Sequence, residues 1–237
     1  MSTLGIIGTG NIGSQVARLA TRAGFDVVLA NSRGPHTLTD LVGELGLRAR
    51  AGTIEDAISS DVVVLAVPLT ATLAFPPELL AGKIVLDSSN YYPSRDGRIP
   101  ELDSNKVTTS ELIQSHLAQT RLVKAFNNIL ARHVLELARP SGAGDRSALP
   151  LASDDSEAVA EAARIVDALG FDVVDTGSLA DSWRFEPETS GYTRLYLENP
   201  AVPDEQIMTA PSSPLPAQQL EDELKDVTRL DVSQRIM

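Results

Sequence analysis

Apolar and polar positions along the chain repeat with two different periods. Residues 4–7 form an unbroken apolar run, and Val16, Ala17, Leu19 and Ala20 then recur at helical spacing until Gly24. A second apolar run occupies 25–30. Strand, helix and strand at this length make one βαβ unit. Leu38, Leu41, Val42 and Leu45 mark an amphipathic helix, and a short strand is expected at 47–51. Thr53-Ile54-Glu55-Asp56 and Thr108 to Glu111 read as capping boxes that open further helices. Apolar runs at 62–67, 83–87, 122–126, 148–152 and 171–174 complete eight strands, with helices at 128–137 and 154–169 between the later ones. Alternating strands and helices predict an α/β fold with a doubly wound, mostly parallel Rossmann-type sheet.

The texture changes near Phe185, where prolines and polar residues rise. Residues 1–185 are expected to form the Rossmann domain and 186–237 a Pro-rich C-terminal arm. One late amphipathic helix carries Leu220, Leu224 and Val227 on one face. Either the tail is frayed or the stripe packs on a partner subunit. The second is favoured, because a completed domain leaves the stripe nowhere to go.

Composition narrows the function classes. Hydrophobic residues are 43% of the 237, enough for a sizeable core. Net charge is −12, which disfavours nucleic acid as a partner. There is no cysteine, and His36, His116 and His133 have no metal-ligand spacing, so no metal is expected. No apolar run approaches the roughly 20 residues that span a bilayer, and the first strand begins too early for a signal peptide. A cytoplasmic location is the expectation.

The candidate chemistry starts at Gly8-Thr9-Gly10-Asn11-Ile12-Gly13, between the first strand and the first helix. In a dinucleotide-binding turn, the first glycine makes the bend and the second lets backbone approach a pyrophosphate. The third lets helix pack on strand. A purely structural glycine turn is the alternative. The second strand ends in Asn31-Ser32-Arg33-Gly34, where a site for NAD places Asp or Glu. Ser32 and Arg33 can instead grip a 2′-phosphate, and His36 and Thr37 can add donors, so NADP(H) is expected over NAD(H).

Ligands of open α/β sheets bind beyond the carboxyl ends of the strands. Four segments there are candidates: Val67-Pro68-Leu69-Thr70, Asp87 to Tyr92, Lys124 to Asn128, and Ser153-Asp154 farther out. Asn127 and Asn128 suit a nicotinamide carboxamide, although Asn128 equally suits a helix cap. Ser88, Ser89 and Asn90 bind a ligand or make a turn. Tyr91 and Tyr92 stack on a ring, supply a proton or pack the loop. Lys124 donates a proton if it faces the site; a surface lysine is the simpler reading. No catalytic triad or carboxylate pair is evident, and no catalytic residue is assigned.

The glycine turn, Asn31-Ser32-Arg33-Gly34, Asn90-Tyr91-Tyr92-Pro93-x-Arg95-Asp96-Gly97 and Lys124-Ala125-Phe126-Asn127-Asn128 together resemble the NADPH-dependent coenzyme F-420 reductase family. That resemblance covers residues 1 to about 185. It implies hydride exchange between NADP(H) and a bound deazaflavin, coenzyme F-420, or a flavin, in a homodimer. It puts Thr9, Asn11 and Ile12 at the pyrophosphate and Ser32 and Arg33 at the 2′-phosphate. Pro68, Leu69, Asn127 and Asn128 would border the nicotinamide. The alternatives are a reductase of another acceptor (a flavin, a ferric chelate, a small carbonyl or imine) and a non-catalytic redox sensor. An open cleft bordered by Ser89, Tyr91 and Asn127 argues against the sensor. F-420 carries a phosphate and glutamates, so Arg95, Arg98, Arg132 and Arg146 should cluster there if it is the acceptor. An acidic or apolar rim favours another acceptor.

Overall fold

A computed structural model describes residues 2–236. The eight expected strands are present: β1 (Thr3–Ile7), β2 (Asp26–Ala30), β3 (Ala49–Ala51), β4 (Val62–Leu65), β5 (Ile84–Asp87), β6 (Arg121–Lys124), β7 (Ala148–Leu151) and β8 (Asp172–Asp175). The first six form one parallel sheet in the order β3-β2-β1-β4-β5-β6. This is the α/β, doubly wound Rossmann-type arrangement, and the strand order reverses between β1 and β4. Both faces are buried. Val62 and Val64 belong to one core cluster, while Val63 and Leu65 belong to the other. Burial on both sides explains why these strands read as continuous apolar runs rather than alternating ones.

β7 and β8 pair in parallel with each other. Beside β6, however, the chain runs antiparallel, through a bridge between Lys124 and Ala152. This reversal corrects the reading of Ser153-Asp154 as a binding segment. Ser153 Oγ donates to the Leu122 carbonyl at 2.5 Å, and Arg121 pairs with Asp155 at 2.6 Å. The segment therefore lies toward the amino end of β6, away from the ligand edge. Sequence periodicity carries no information on strand direction, so the difference was invisible there.

The tail is integrated with the rest of the chain. The helix Ala217–Lys225 packs on β7 and β8, and Leu215, Leu220, Leu224 and Val227 join the same core cluster as β1 and β2. The apolar stripe is thus covered by its own chain, which corrects the expectation of a partner-facing arm. Each fully buried leucine contributes about 1.5–3 kcal/mol. A buried ion pair fastens the end of the tail. Arg235 Nη2 lies 3.4 Å from Glu186 Oε2, and Glu186 Oε1 accepts the Thr109 N–H at 2.8 Å. Arg235 Nη1 also donates to the Tyr91 carbonyl. No helix among the described residues is long and apolar enough to cross a membrane, and no group of His, Asp and Glu is placed to hold a metal.

Candidate functional site

The first turn shows three separate reasons for glycine. Gly8 has φ +96°, and a Cβ there would lie 2.3 Å from the Ala66 carbonyl oxygen. A Cβ on Gly13 would lie 1.9 Å from the Gly8 carbonyl oxygen, so α1 (Asn11–Arg22) can approach β1 only because that Cβ is missing. Gly10 is different. Its φ is −78°, and nothing lies within 4 Å of where its Cβ would stand. Neither conformation nor packing asks for glycine at 10; the room is left for something else, at the end of a helix whose N–H groups and dipole favour an anion. This is the fit that a dinucleotide pyrophosphate requires.

At the end of β2, Asn31 shapes the loop. Its Oδ1 accepts the Arg33 N–H at 2.9 Å, and its Nδ2 donates to Thr37 at 2.9 Å and to Thr9 at 3.5 Å. These bonds tie the loop to the glycine turn. Ser32, Arg33 and His36 are exposed around it, and the Arg33 side chain has no ion-pair partner among the described residues. A free guanidinium beside a loop without a carboxylate is the donor set for a 2′-phosphate.

A cavity of about 1040 Å³ opens along the carboxyl ends of β1, β4, β5 and β6 and is covered by the tail. Asn11, Ile12, Pro68, Ser89, Asn90 and Asn127 all line it. The glycines of the turn, Thr9, Asn31, Ser32, Arg33 and His36 are not part of its lining, and neither are three residues expected near the nicotinamide end. Leu69 is fully buried and packs into the second core cluster. Tyr91 is fully buried; its hydroxyl donates to Asp103 at 2.9 Å and accepts the Ile99 N–H, and burial raises its pKa. It packs its loop and does not border the cleft, where Tyr92 stands instead. Asn128 is fully buried, neither on the cavity nor capping a helix, because Leu130 precedes the helix Ala131–Glu136. Its Nδ2 holds the Gly191 carbonyl at 3.2 Å. Phe126, just before the two asparagines, has a φ of +58°, unusual for a bulky residue, which turns the chain sharply after β6.

Asn127 and Asn90 lock together across the cavity floor. Asn90 Nδ2 donates to the Asn127 carbonyl at 2.8 Å, and Asn127 Nδ2 donates to Asn90 Oδ1 at 3.2 Å and to the Phe185 carbonyl at 2.9 Å. Both amide hydrogens of Asn127 are used, while its Oδ1 is buried without a donor. Such an acceptor costs stability unless a partner arrives. It suits the NH₂ of a carboxamide, so of the two functions expected at Asn127 only acceptance remains.

Lys124 is the main residue that sequence reasoning misjudged. It is fully buried, and its Nζ lies 3.1 Å from Asp87 Oδ2 and donates to the Ser89 carbonyl. Asp87 Oδ1 in turn accepts the Ser89 N–H at 3.1 Å. A buried charge pair therefore fixes the loop after β5 that carries Ser89 and Asn90. The tail supplies the other unforeseen residues, Tyr192 and Arg194. The Tyr92 and Tyr192 hydroxyl oxygens are 2.5 Å apart, and burial holds the Tyr192 pKa well above the ordinary value. Tyr192 is one of only four tyrosines, a scarcity that could have drawn attention to it. No local pattern, however, indicated that the tail returns to the strand ends.

The four arginines anticipated at the rim do not gather. Arg95 lines the cavity and donates to Asp96 and to the Asn90 carbonyl, each at 2.8 Å. Arg98 bonds Asp103 and the Arg235 carbonyl. Arg132 faces Glu136 at 3.6 Å, and Arg146 is buried between Asp167 and Asp172 at 2.7 Å from each. Arg194 does line the cavity, but it is paired with Asp204 at 2.5 Å. Ile207, Met208 and Ile236 give the remaining rim an apolar part, beside the polar Glu188, Thr189, Thr193 and Gln234.

The strand order, the glycine turn and the cavity at the switch point define a dinucleotide-binding protein of the oxidoreductase type. Residues 3–91 match the family model described as NADP oxidoreductase coenzyme F420-dependent. A hypothetical protein from Sinorhizobium meliloti is 33% identical, with 77% of this chain and 88% of that one covered at a TM-score of 0.67. The chain belongs to this family of NADP-dependent oxidoreductases. Two further solved structures share the fold. One, from Arthrobacter sp. and provisionally described as an F-420-dependent NADP reductase, is 24% identical over 77% of this chain and 87% of its own, at a TM-score of 0.64. The other, an imine reductase from Pseudomonas sp., is 18% identical over 75% of this chain and 56% of its own, at a TM-score of 0.55. No curated protein sequence matches the chain.

Proposed function

We propose that this chain is an NADPH-dependent reductase whose acceptor is a small organic molecule of low net charge, bound in the cavity under the tail. One observation carries the reading. The two arginines on the cavity wall, Arg95 and Arg194, are each committed to a carboxylate, and the rest of the rim is apolar or neutral apart from Glu188. An acceptor bearing phosphate and glutamates would need free cations there. When bound, the reduced dinucleotide supplies a hydride. The chain's own residues hold and orient: Gly10 leaves room for the pyrophosphate, Ser32 and Arg33 select the 2′-phosphate, and Asn127 Oδ1 accepts from the carboxamide. Lys124 and Asp87 keep the opposite wall in place. Bringing donor and acceptor together in a closed site is the main source of rate in such a reaction.

A deazaflavin, coenzyme F-420, is the second reading. The family model's description favours it, and so does a cavity large enough for a planar ring system. A non-catalytic sensor is disfavoured, because the cavity continues beyond Asn127 toward the tail. A homodimer rests on the family resemblance alone, since the stripe that suggested an interface is buried within the chain.

The test offers NADPH with F-420, FMN, cyclohexanone or 1-pyrroline in parallel and follows NADPH absorbance. Turnover with a neutral acceptor and none with F-420 is expected. A specificity constant for F-420 above those of the neutral acceptors overturns the proposal in favour of the deazaflavin.

A further inference from the structure

Tyr92 follows β5 and Tyr192 belongs to the tail, yet their side chains meet on the cavity wall. Their oxygens are 2.5 Å apart, and Asn90 Nδ2 lies 3.2 Å from each. A count of hydrogens has a definite result. Two phenols bring two hydroxyl hydrogens, and one of them lies between the two oxygens. Asn90 approaches through its amide nitrogen, which gives hydrogens and takes none. Neither hydroxyl has another partner among the described residues. One O–H is therefore left over, on a pair whose both members face the cavity. Burial raises the Tyr192 pKa well above the ordinary tyrosine value, so that hydroxyl keeps its proton at neutral pH.

We propose that the Tyr92–Tyr192 hydroxyl pair is the proton donor to the acceptor, and that the acceptor is accordingly a carbonyl or imine; this rests on the reading of a low-charge acceptor given above. The acceptor carbon gains the hydride supplied by the reduced dinucleotide, which is thereby oxidised. The π pair of the C=O or C=N bond moves to the heteroatom, which takes the proton from the tyrosine hydroxyl. The phenolate left behind is held by the Asn90 amide and by the second tyrosine hydroxyl. The Arg95 guanidinium, paired with Asp96, stacks 4.8 Å from the centre of the Tyr92 ring and holds that ring in place. Solvent reached through the open rim then restores the proton. Asn90 thus has two tasks: one amide hydrogen goes to the Asn127 carbonyl at 2.8 Å, and the other is shared by the two phenol oxygens at 3.2 Å from each.

The experiment compares wild-type protein with Tyr92→Phe, Tyr192→Phe and the double variant, using cyclohexanone and 1-pyrroline as probes. In the complex with NADP⁺ and cyclohexanone, which does not turn over, infrared difference spectra should show the bound carbonyl stretch lowered by a hydrogen bond. The double variant should lose that shift. With NADPH it should lose about 100-fold or more in kcat, in the range of general acid catalysis, at an unchanged Kd for NADPH. Each single variant keeps one hydroxyl and falls between. If the double variant fails to bind NADPH, the two single variants carry the comparison, and both retaining wild-type kcat and the full carbonyl shift overturns the proposal. A double variant within threefold of wild type, with the shift intact, overturns the proton donor and leaves the acceptor reading standing. A wild type that reduces neither probe but oxidises NADPH with F-420 overturns the acceptor reading and this proposal with it.

Discussion

Gly10 and Gly13 are three residues apart and require glycine for different reasons, so they separate fold from function. Gly13→Ala forces a methyl group to within 1.9 Å of the Gly8 carbonyl oxygen. Backbone must move, and a loss of roughly 1–3 kcal/mol of stability is expected from denaturant unfolding. Gly10→Ala meets no protein atom within 4 Å and should unfold with the wild-type midpoint. Its NADPH affinity should nevertheless fall about tenfold or more, or roughly 1.4 kcal/mol, in titration calorimetry. Unchanged affinity would mean that the open space is not the pyrophosphate cradle. Arg33→Ala removes an exposed guanidinium with no ion-pair partner among the described residues, so stability should not change. NADPH binding should weaken by roughly 1.5–3 kcal/mol while NADH binding stays as it was; equal losses for both cofactors would reject the 2′-phosphate contact. These residues were legible because a turn, a helix start and a missing acid are local signals. Asn127 and Asn128 were not distinguishable, since two neighbours of one residue type carry the same local signal and only long-range packing sends one to the cavity and the other to the Gly191 carbonyl.

Between elements, what matters is which strand end faces which. Asp87 and Lys124 end two adjacent parallel strands in register, 37 positions apart. Each alone looks like an ordinary polar strand terminus. In the folded chain both side chains are fully buried and paired at 3.1 Å. Lys124→Met would leave the Asp87 carboxylate enclosed without its counter-charge, at a cost of about 3–5 kcal/mol in denaturant unfolding. Adding Asp87→Asn to that variant should recover part of the loss, because the unpaired charge is gone. A single variant of wild-type stability would show that water reaches Asp87. The strands and the longer helices were readable from the apolar runs, capping boxes and glycine stops, but the short helices Pro93–Asp96 and Pro100–Asp103 fall where a long polar loop is expected. The antiparallel return of the chain at β7, which decides where Ser153 lies, was not readable, because apolar periodicity is the same in either direction.

Across the whole molecule, the tail decides both stability and the shape of the site. Its texture, rich in proline and polar residues, suggested separation from the sheet. In the structure it contributes a core helix, the Glu186–Arg235 clamp and the second tyrosine of the cavity. Proline-rich composition indicates only irregular backbone; whether that backbone stays with the domain depends on long-range burial. One consequence is alkaline sensitivity. Burial raises the pKa of Tyr91, Tyr192 and Tyr196, so the native state keeps protons that the unfolded chain releases above its ordinary tyrosine value of about 10. Stability is then fully present below that value and falls as pH rises beyond it, which denaturant midpoints at about pH 9 and pH 11 would register as a decrease. The second consequence concerns Leu220 and Leu224, which are buried against β7 and β8. Leu220→Ala or Leu224→Ala should each cost about 2–5 kcal/mol of stability through the cavity left behind. Sedimentation mass at low protein concentration should stay at the wild-type value, because these side chains cover the chain's own core rather than a neighbour. A variant that keeps its unfolding midpoint but sediments as a smaller particle would return the stripe to a subunit interface and detach the tail from the site.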